Sequence, residues 1–147
     1  MKYIFDTNIL IHYLRRTPLS KKIDAQINPF ASGNTLLLSI VSIGEIRSIS
    51  IQNNWGASRL AALQNAFLDF VIVGIIGEDI IERYAEIDAY SQGKLPNRVL
   101  PTSSRNMGKN DLWIAATGSI LKATLLTTDQ DFDHLMGHFL DVIRFES

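Results

Sequence analysis

Lys2-Tyr3-Ile4-Phe5-Asp6-Thr7-Asn8-Ile9-Leu10 is the stretch on which the reading of the fold turns. Lys2 to Phe5 is a short β-rich run. At Asp6-Thr7-Asn8 the period changes, and Ile9, Leu10, Tyr13 and Leu14 fall on one face of a helix. A strand that passes straight into a helix is half of a strand-helix-strand unit, and the same alternation recurs along the chain. Pro18, tolerated in a first helical turn, opens a second helix toward Ile27, and Asn28-Pro29 and Ser32-Gly33-Asn34 break it off. Thr35 to Ile40 reads as a second strand, followed by a helix from Ser42 to about Asn53. Gly56 to Asp69 reads as another helix, with Leu60, Leu63, Phe67 and Leu68 as its buried stripe. Val71 to Ile75 is a third strand, Glu78 to Gln92 a long amphipathic helix, and Leu95 to Met107 a polar loop. A helix from about Lys109 to Lys122, a strand from Thr124 to Thr127, a short helix from Asp131 to Met136 and a last strand from Val142 to Phe145 complete the series.

Nearly uninterrupted apolar strands separated by helical crossovers are what a parallel sheet buried on both faces requires. The expected fold is therefore α/β, a three-layer α/β/α sandwich around a central, mainly parallel sheet of four or five strands. No repeat or long linker interrupts residues 1–147, so a single domain is expected. Ala115, Ala116 and Gly118 keep one face of their helix small enough to lie close on the sheet. Trp113 falls among apolar residues at helical spacing and is assigned to core packing. Ile43, Ile46, Ile49 and Ile51 offer more apolar surface than one helix face buries, which suggests either an interface or a fully buried helix.

Composition narrows the function classes. With 46% apolar and 20% charged residues the chain is an ordinary globular one. It has no cysteine, which removes disulfides, zinc-thiolate sites and thiol nucleophiles together. An acidic residue at position 6 comes too early for a signal peptide, and no apolar run approaches the roughly 20 residues of a membrane span. A cytoplasmic protein with no membrane partner is expected. The net charge of -1 lacks the basic excess usual in nucleic-acid binders. If Asp6, Glu45, Asp111 and Asp129 share one pocket, however, 14 Lys+Arg stand against the other 11 acidic residues, and the rest of the chain carries +3.

Those four acids are the candidates for chemistry. Ligand crevices in such sheets lie outside the carboxyl ends of the strands. Asp6 and Asp129 each follow a predicted strand, Glu45 lies one turn into the helix after the second strand, and Asp111 opens a helix leading back into the sheet. Each also has a plainer reading. Asp6 and Asp131 suit helix N-caps, Asp111 suits a first turn where it complements the macrodipole, and Ser42-x-x-Glu45 suits a capping box. His134 and His138, four apart, lack a third ligand at a fitting spacing and read as surface or helix-end residues; with His12 they match no metal motif.

Phe5-Asp6-Thr7-Asn8, Glu45 on a mid-chain helix, Asn110-Asp111-Leu112-Trp113-Ile114-Ala115-Ala116 and Leu126-Thr127-Thr128-Asp129-Gln130-Asp131-Phe132 together resemble the PIN-domain nucleases, and within them the VapC-type toxins of bacterial toxin-antitoxin pairs. The resemblance spans nearly the whole chain in the family's order. It implies a metal-dependent endoribonuclease in which Asp6, Glu45, Asp111 and Asp129 form the acidic metal site. Thr7, Asn8, Thr127 and Asp131 match positions near it that support the site or serve only as turn and cap residues. All-oxygen ligands favour Mg²⁺ or Mn²⁺ over zinc. Arg98, Arg105 and Lys109, in or beside the loop that leads to Asp111, are placed to contact RNA phosphates or simply to solvate the loop. That loop, Pro96 to Met107, is long for a minimal member of the family. The implied partners are an RNA substrate, a small cognate antitoxin and a second copy of the chain. Two other functions compete with this one: a PIN scaffold that binds RNA without cutting it, and a receiver-like Mg²⁺-binding signalling domain. The second wants adjacent early acids and an acceptor Asp after a middle strand, which this chain lacks.

Overall fold

Side chains alternate across a strand, so a strand covered on both faces must be apolar at every position. β1 (Lys2–Phe5) is built this way: Ile4 joins one buried cluster, while Tyr3 and Phe5 join a second on the opposite side. β2 (Thr35–Ser39) divides likewise, with Leu37 on the first side and Leu36 and Leu38 on the other. β4 (Thr124–Thr127) sends Leu125 and Leu126 to opposite clusters. With β3 (Val71–Val73) and β5 (Asp141–Arg144) these strands form one five-stranded sheet in the order β3-β2-β1-β4-β5, and every pairing is parallel. The computed structural model describes residues 1–147, and the three-layer α/β sandwich it gives is the expected class.

The helices divide between the two faces. α5 (Glu78–Ser91) and α6 (Lys109–Leu121) pack on the Ile4 side. α1 (Thr7–Leu14), α2 (Pro18–Gln26), α3 (Ile40–Gln52) and α4 (Ala57–Phe67) contribute to the Phe5 side. A 3₁₀ turn, Gln130–Leu135, follows β4. No helix is long and apolar enough to cross a membrane.

Several boundaries differ from the expected ones, each for a local reason. α3 begins at Ile40 rather than Ser42, because the Ser39 hydroxyl accepts a hydrogen bond from the Val41 amide at 3.1 Å and caps the helix. Ser42 and Glu45 thus lie within the helix, and the anticipated capping box does not form. β3 is shorter than expected and sits at the sheet edge, so Val71 and Ile72 remain exposed although the run is apolar. In α4 the buried stripe shrinks to Leu63, half-buried Ala66 and Phe67; Leu60 is 40% exposed and Leu68 80%. The isoleucine surplus on α3 is smaller than it looked. α3 touches α1, α6 and β2, so Ile43 and Ile46 are both buried and Ile49 half-buried; of these four only Ile51, 79% exposed, is left in water, with Ile40 at the helix start 43% exposed.

α6 lies against the sheet at the distance its small residues allow. Ala115 and Ala116 are fully buried. A Cβ on Gly118 would stand 3.0 Å from Ile4 Cγ2 and 3.0 Å from Leu140 Cδ1. Gly118→Val should therefore push α6 off β1 and destabilise the protein by about 1–3 kcal/mol, the usual cost of overpacking a core. Urea unfolding measures this; a midpoint equal to the parent's would mean that the contact is slack. Trp113 is half-buried and stacks on Tyr84 of α5 with ring centroids 4.1 Å apart, in keeping with a packing role.

Candidate active site

The strand order places β1 between β2 and β4. The chain winds outward on one side of β1 to β3, then returns to build β4 and β5 on the other, so the connections change direction between β1 and β4. Parallel sheets open a crevice at such a point, beyond the carboxyl ends of the strands. Asp6 ends β1 there, its amide bonded to the Leu126 carbonyl of β4 at 3.0 Å. Asp129 follows β4 by two residues.

A chain of hydrogen bonds fixes these acids. The Thr127 hydroxyl donates to Asp6 Oδ2 at 2.7 Å and accepts from the Asp129 amide at 2.9 Å. Asp129 Oδ1 in turn accepts from the Asp131 amide at 2.9 Å, so Asp129, not Asp131, caps the 3₁₀ turn. The other oxygen of Asp6 accepts from the Thr7 amide at 2.8 Å and caps α1. Asp6 is thus a cap and a member of the cluster at once. The two readings of its sequence position do not exclude each other.

Glu45 is held from α1. Thr7 Oγ1 lies 2.8 Å from Glu45 Oε1 and 3.0 Å from Ser42 Oγ. A hydroxyl carries one hydrogen. With that hydrogen on the carboxylate, the Ser42 hydroxyl supplies its own to Thr7. Ser42 is fully buried, and sequence alone gave no sign of this part beyond a polar residue on an otherwise apolar helix face.

Asp111, in the first turn of α6, reaches the same place from the opposite helical layer. Carboxylate oxygens of Asp111, Asp129 and Asp131 all lie within 4.8 Å of one another. Burial, followed by the charges of Asp6, Asp129, Glu45 and Asp131, pushes the Asp111 carboxyl up to about 7. Asp6 is raised mainly by burial, against the lowering effect of its bonds to Thr127 and Thr7, with Asp129 and Glu45 adding to the rise. Five acids from four separate segments therefore act on one another electrostatically. Like charges gathered in this way favour a cation or a proton.

The remaining candidates are placed less centrally. Asn8 is exposed on α1. Arg105 approaches the cluster's rim, 3.9 Å from Asp131 and with its guanidinium 3.5 Å from the Gln130 carbonyl. Lys109 is the first residue of α6 and is exposed. Arg98 faces elsewhere, donating to the His138 carbonyl at 3.0 Å with its guanidinium 4.4 Å from the centre of the Phe139 ring. His134 lies in the last turn of the 3₁₀ element, as the helix-end reading had it, but not on the surface. It is buried, hydrogen-bonded to Ser91 Oγ at 2.7 Å, and ties the end of α5 to the 3₁₀ turn that carries Asp131.

The raised Asp111 carboxyl has a consequence for stability. Between its ordinary value near 4 and about 7 the folded state holds a proton that the unfolded state has released, so metal-free stability falls as pH rises through that window. Melting of the metal-free protein should fall more steeply between about pH 4 and pH 7 in the parent than in Asp111→Asn. Equal slopes would show that Asp111 titrates normally.

A family model described as "PIN domain" matches residues 3–137. The chain is 28% identical to Ribonuclease VapC1 of Haemophilus influenzae strain R2866 over 128 residues, 86% of each protein. Among solved structures, VapBC2 from Rickettsia felis, bound to a DNA fragment from their promoter, is similar with a TM-score of 0.75 at 19% identity, covering 99% of this chain and 100% of that one. VapBC-1 from nontypeable Haemophilus influenzae is similar with a TM-score of 0.73 at 23% identity, over 98% of each chain. At these identities the structural likenesses speak for the fold.

Proposed function

The chain belongs to the PIN domain family, and on that footing we propose that it is a metal-dependent endoribonuclease, the toxin of a toxin-antitoxin pair. One observation carries the reading: five acids converge at the switch point of the sheet, three of them with oxygens within 4.8 Å of one another. Caps and first-turn acids have no reason to converge so closely, since burial and then the neighbouring charges raise Asp111 toward neutrality.

The donor set fits a hard divalent cation, because every available ligand atom is a carboxylate oxygen and no histidine lies among them. Asp111, Asp129 and Asp131 would hold Mg²⁺ or Mn²⁺, with Asp6 and Glu45 lining the same pocket. A bound divalent ion supplies positive charge over the scissile phosphate and makes water a stronger nucleophile near neutral pH. The protein's own part is positional. Thr127 orients Asp6, Thr7 orients Glu45, and the cap at Asp129 sets the spacing to Asp131. Arg105 and Lys109 flank the acids and offer positive charge to the phosphates on either side of the cut. The hydroxyls of Ser42, Thr7 and Thr127 are engaged in the bonds that orient the acids and no histidine lies among them, so the proposed nucleophile is water, attacking phosphorus directly. The P–O3′ bond breaks, leaving a 5′-phosphate and a 3′-hydroxyl.

The similarity to VapC1 and to VapBC assemblies supports an antitoxin partner and assignment to the cytoplasm. Ile40 and Ile51 on α3 and Leu60 and Leu68 beside α4 leave apolar surface in water for such a partner or for a second copy of the chain. Incubation with an unstructured RNA should give 5′-phosphorylated fragments in Mg²⁺ or Mn²⁺ and none in EDTA. Full activity in EDTA would remove the metal from the account.

A further inference from the structure

We propose that a groove leading from Glu45 along the outer side of α3 is a subsite for an unpaired RNA base beside the scissile phosphate; this rests on the nuclease reading above. The groove has a volume of about 580 Å³, within the range of pockets that hold small organic groups. Glu45 lines both it and the acid cluster. A polymer whose phosphate sits at the acids has to leave the pocket along some surface, and this groove shares Glu45 with it and ends at Asn110, next to Asp111.

Its lining recurs at helical spacing. Val41, Gly44, Ser48, Ile49 and Gln52 follow Glu45's side of α3, and Asn110 closes the wall from the start of α6. From Glu45 to Gln52 the helix advances by about 10 Å, room for a nucleotide next to the cut. Glu45 is the one charged residue among those lining the groove, so a phosphate has no cation to meet there. A base finds both of the features it needs. Val41 and Ile49 give apolar surface for its face, while Ser48, Gln52 and Asn110 offer polar groups to its edge.

Two of those polar groups are already oriented. Gln52 Nε2 donates to Ser48 Oγ at 2.8 Å. That bond leaves Gln52 Oε1 as a free acceptor and the Ser48 hydroxyl hydrogen as a free donor, side by side. A donor next to an acceptor is the pattern that a base edge complements. Gly44 keeps the floor open: a Cβ built on it meets nothing within 4 Å, so a larger side chain would enter the groove without disturbing the fold.

The test is cleavage of an oligoribonucleotide with randomised positions in Mn²⁺, with the fragment ends sequenced for the parent, Gln52→Ala, Asn110→Ala and Gly44→Leu. The parent should prefer certain bases at one position flanking the cut. Gln52→Ala and Asn110→Ala should each weaken that preference about two- to tenfold, the range set by one neutral hydrogen bond, and Gly44→Leu should change or erase it. Unchanged melting curves would show that the variants are folded. A parent that cuts without base preference, or variants that all keep the parent's preference, overturns the proposal while leaving the nuclease reading intact. Variants that keep the preference but escape inhibition by the proposed antitoxin would make the groove a protein seat, which also overturns it. A parent that cuts no RNA removes the nuclease reading and this subsite with it.

Discussion

Asp111→Asn should slow RNA cleavage about a thousandfold, the loss that follows when several kcal/mol of metal-derived transition-state stabilisation are removed. Fold damage should not be the cause. Asp111 sits in the first turn of α6, and the change gives up a macrodipole interaction worth about 0.3–1 kcal/mol. It also relieves repulsion from four neighbouring acids. At pH values above about 7, where the Asp111 carboxyl would be charged, the metal-free variant should melt no lower than the parent. Asp6→Asn is a less clean experiment. Asp6 accepts from both Thr127 and the Thr7 amide, and an amide has a single acceptor oxygen, so the Thr127 bond must reverse or break as the charge is lost. A single-turnover rate for Asp111→Asn near the parent's would take this residue out of the mechanism.

Thr127→Val should slow cleavage about 10–100-fold, as is typical when a hydrogen bond that supports a metal site from behind is lost. It should also cost about 1–3 kcal/mol, because the Asp129 amide and one Asp6 oxygen would each lose a partner in a buried place. Thr127→Ser, which keeps the hydroxyl, should restore most of the rate. If Val and Ser variants cleave equally well, the hydroxyl does not position the site, whatever happens to stability.

How far the sequence disclosed this arrangement depends on the range over which each residue is determined. Asp6, Asp111 and Asp129 were legible because a strand end or a helix start is a local pattern, and parallel sheets collect such positions at one edge. The start of α3 was not legible. Ile40 and Val41 continue the apolar run of β2 into the helix, and Ser39 and Ser42 are both suitable caps; the bond from the Val41 amide decides between them. The helix-end place of His134 was legible but its burial was not, because its partner, Ser91, is 43 residues away. The burial of Ile43 and Ile46 and the exposure of Leu68 depend on which neighbours reach each helix face, information that a helical period does not contain. Asp131 could be named but not ranked. Its place near Asp111 and Asp129 follows from the 3₁₀ turn that the Asp129 cap initiates.

The central claim is that the converging acids exist to hold a divalent ion, and thermal melting with and without Mn²⁺ tests it most directly, on the parent and on Asp111→Asn. An ion that binds only the folded state at a hundredfold excess over Kd stabilises it by about 2.7 kcal/mol. The parent should melt at a clearly higher temperature in Mn²⁺, with the gain reversed by EDTA, and Asp111→Asn should show little or none of it. A parent indifferent to Mn²⁺, or a variant that keeps the whole increase, would contradict the account.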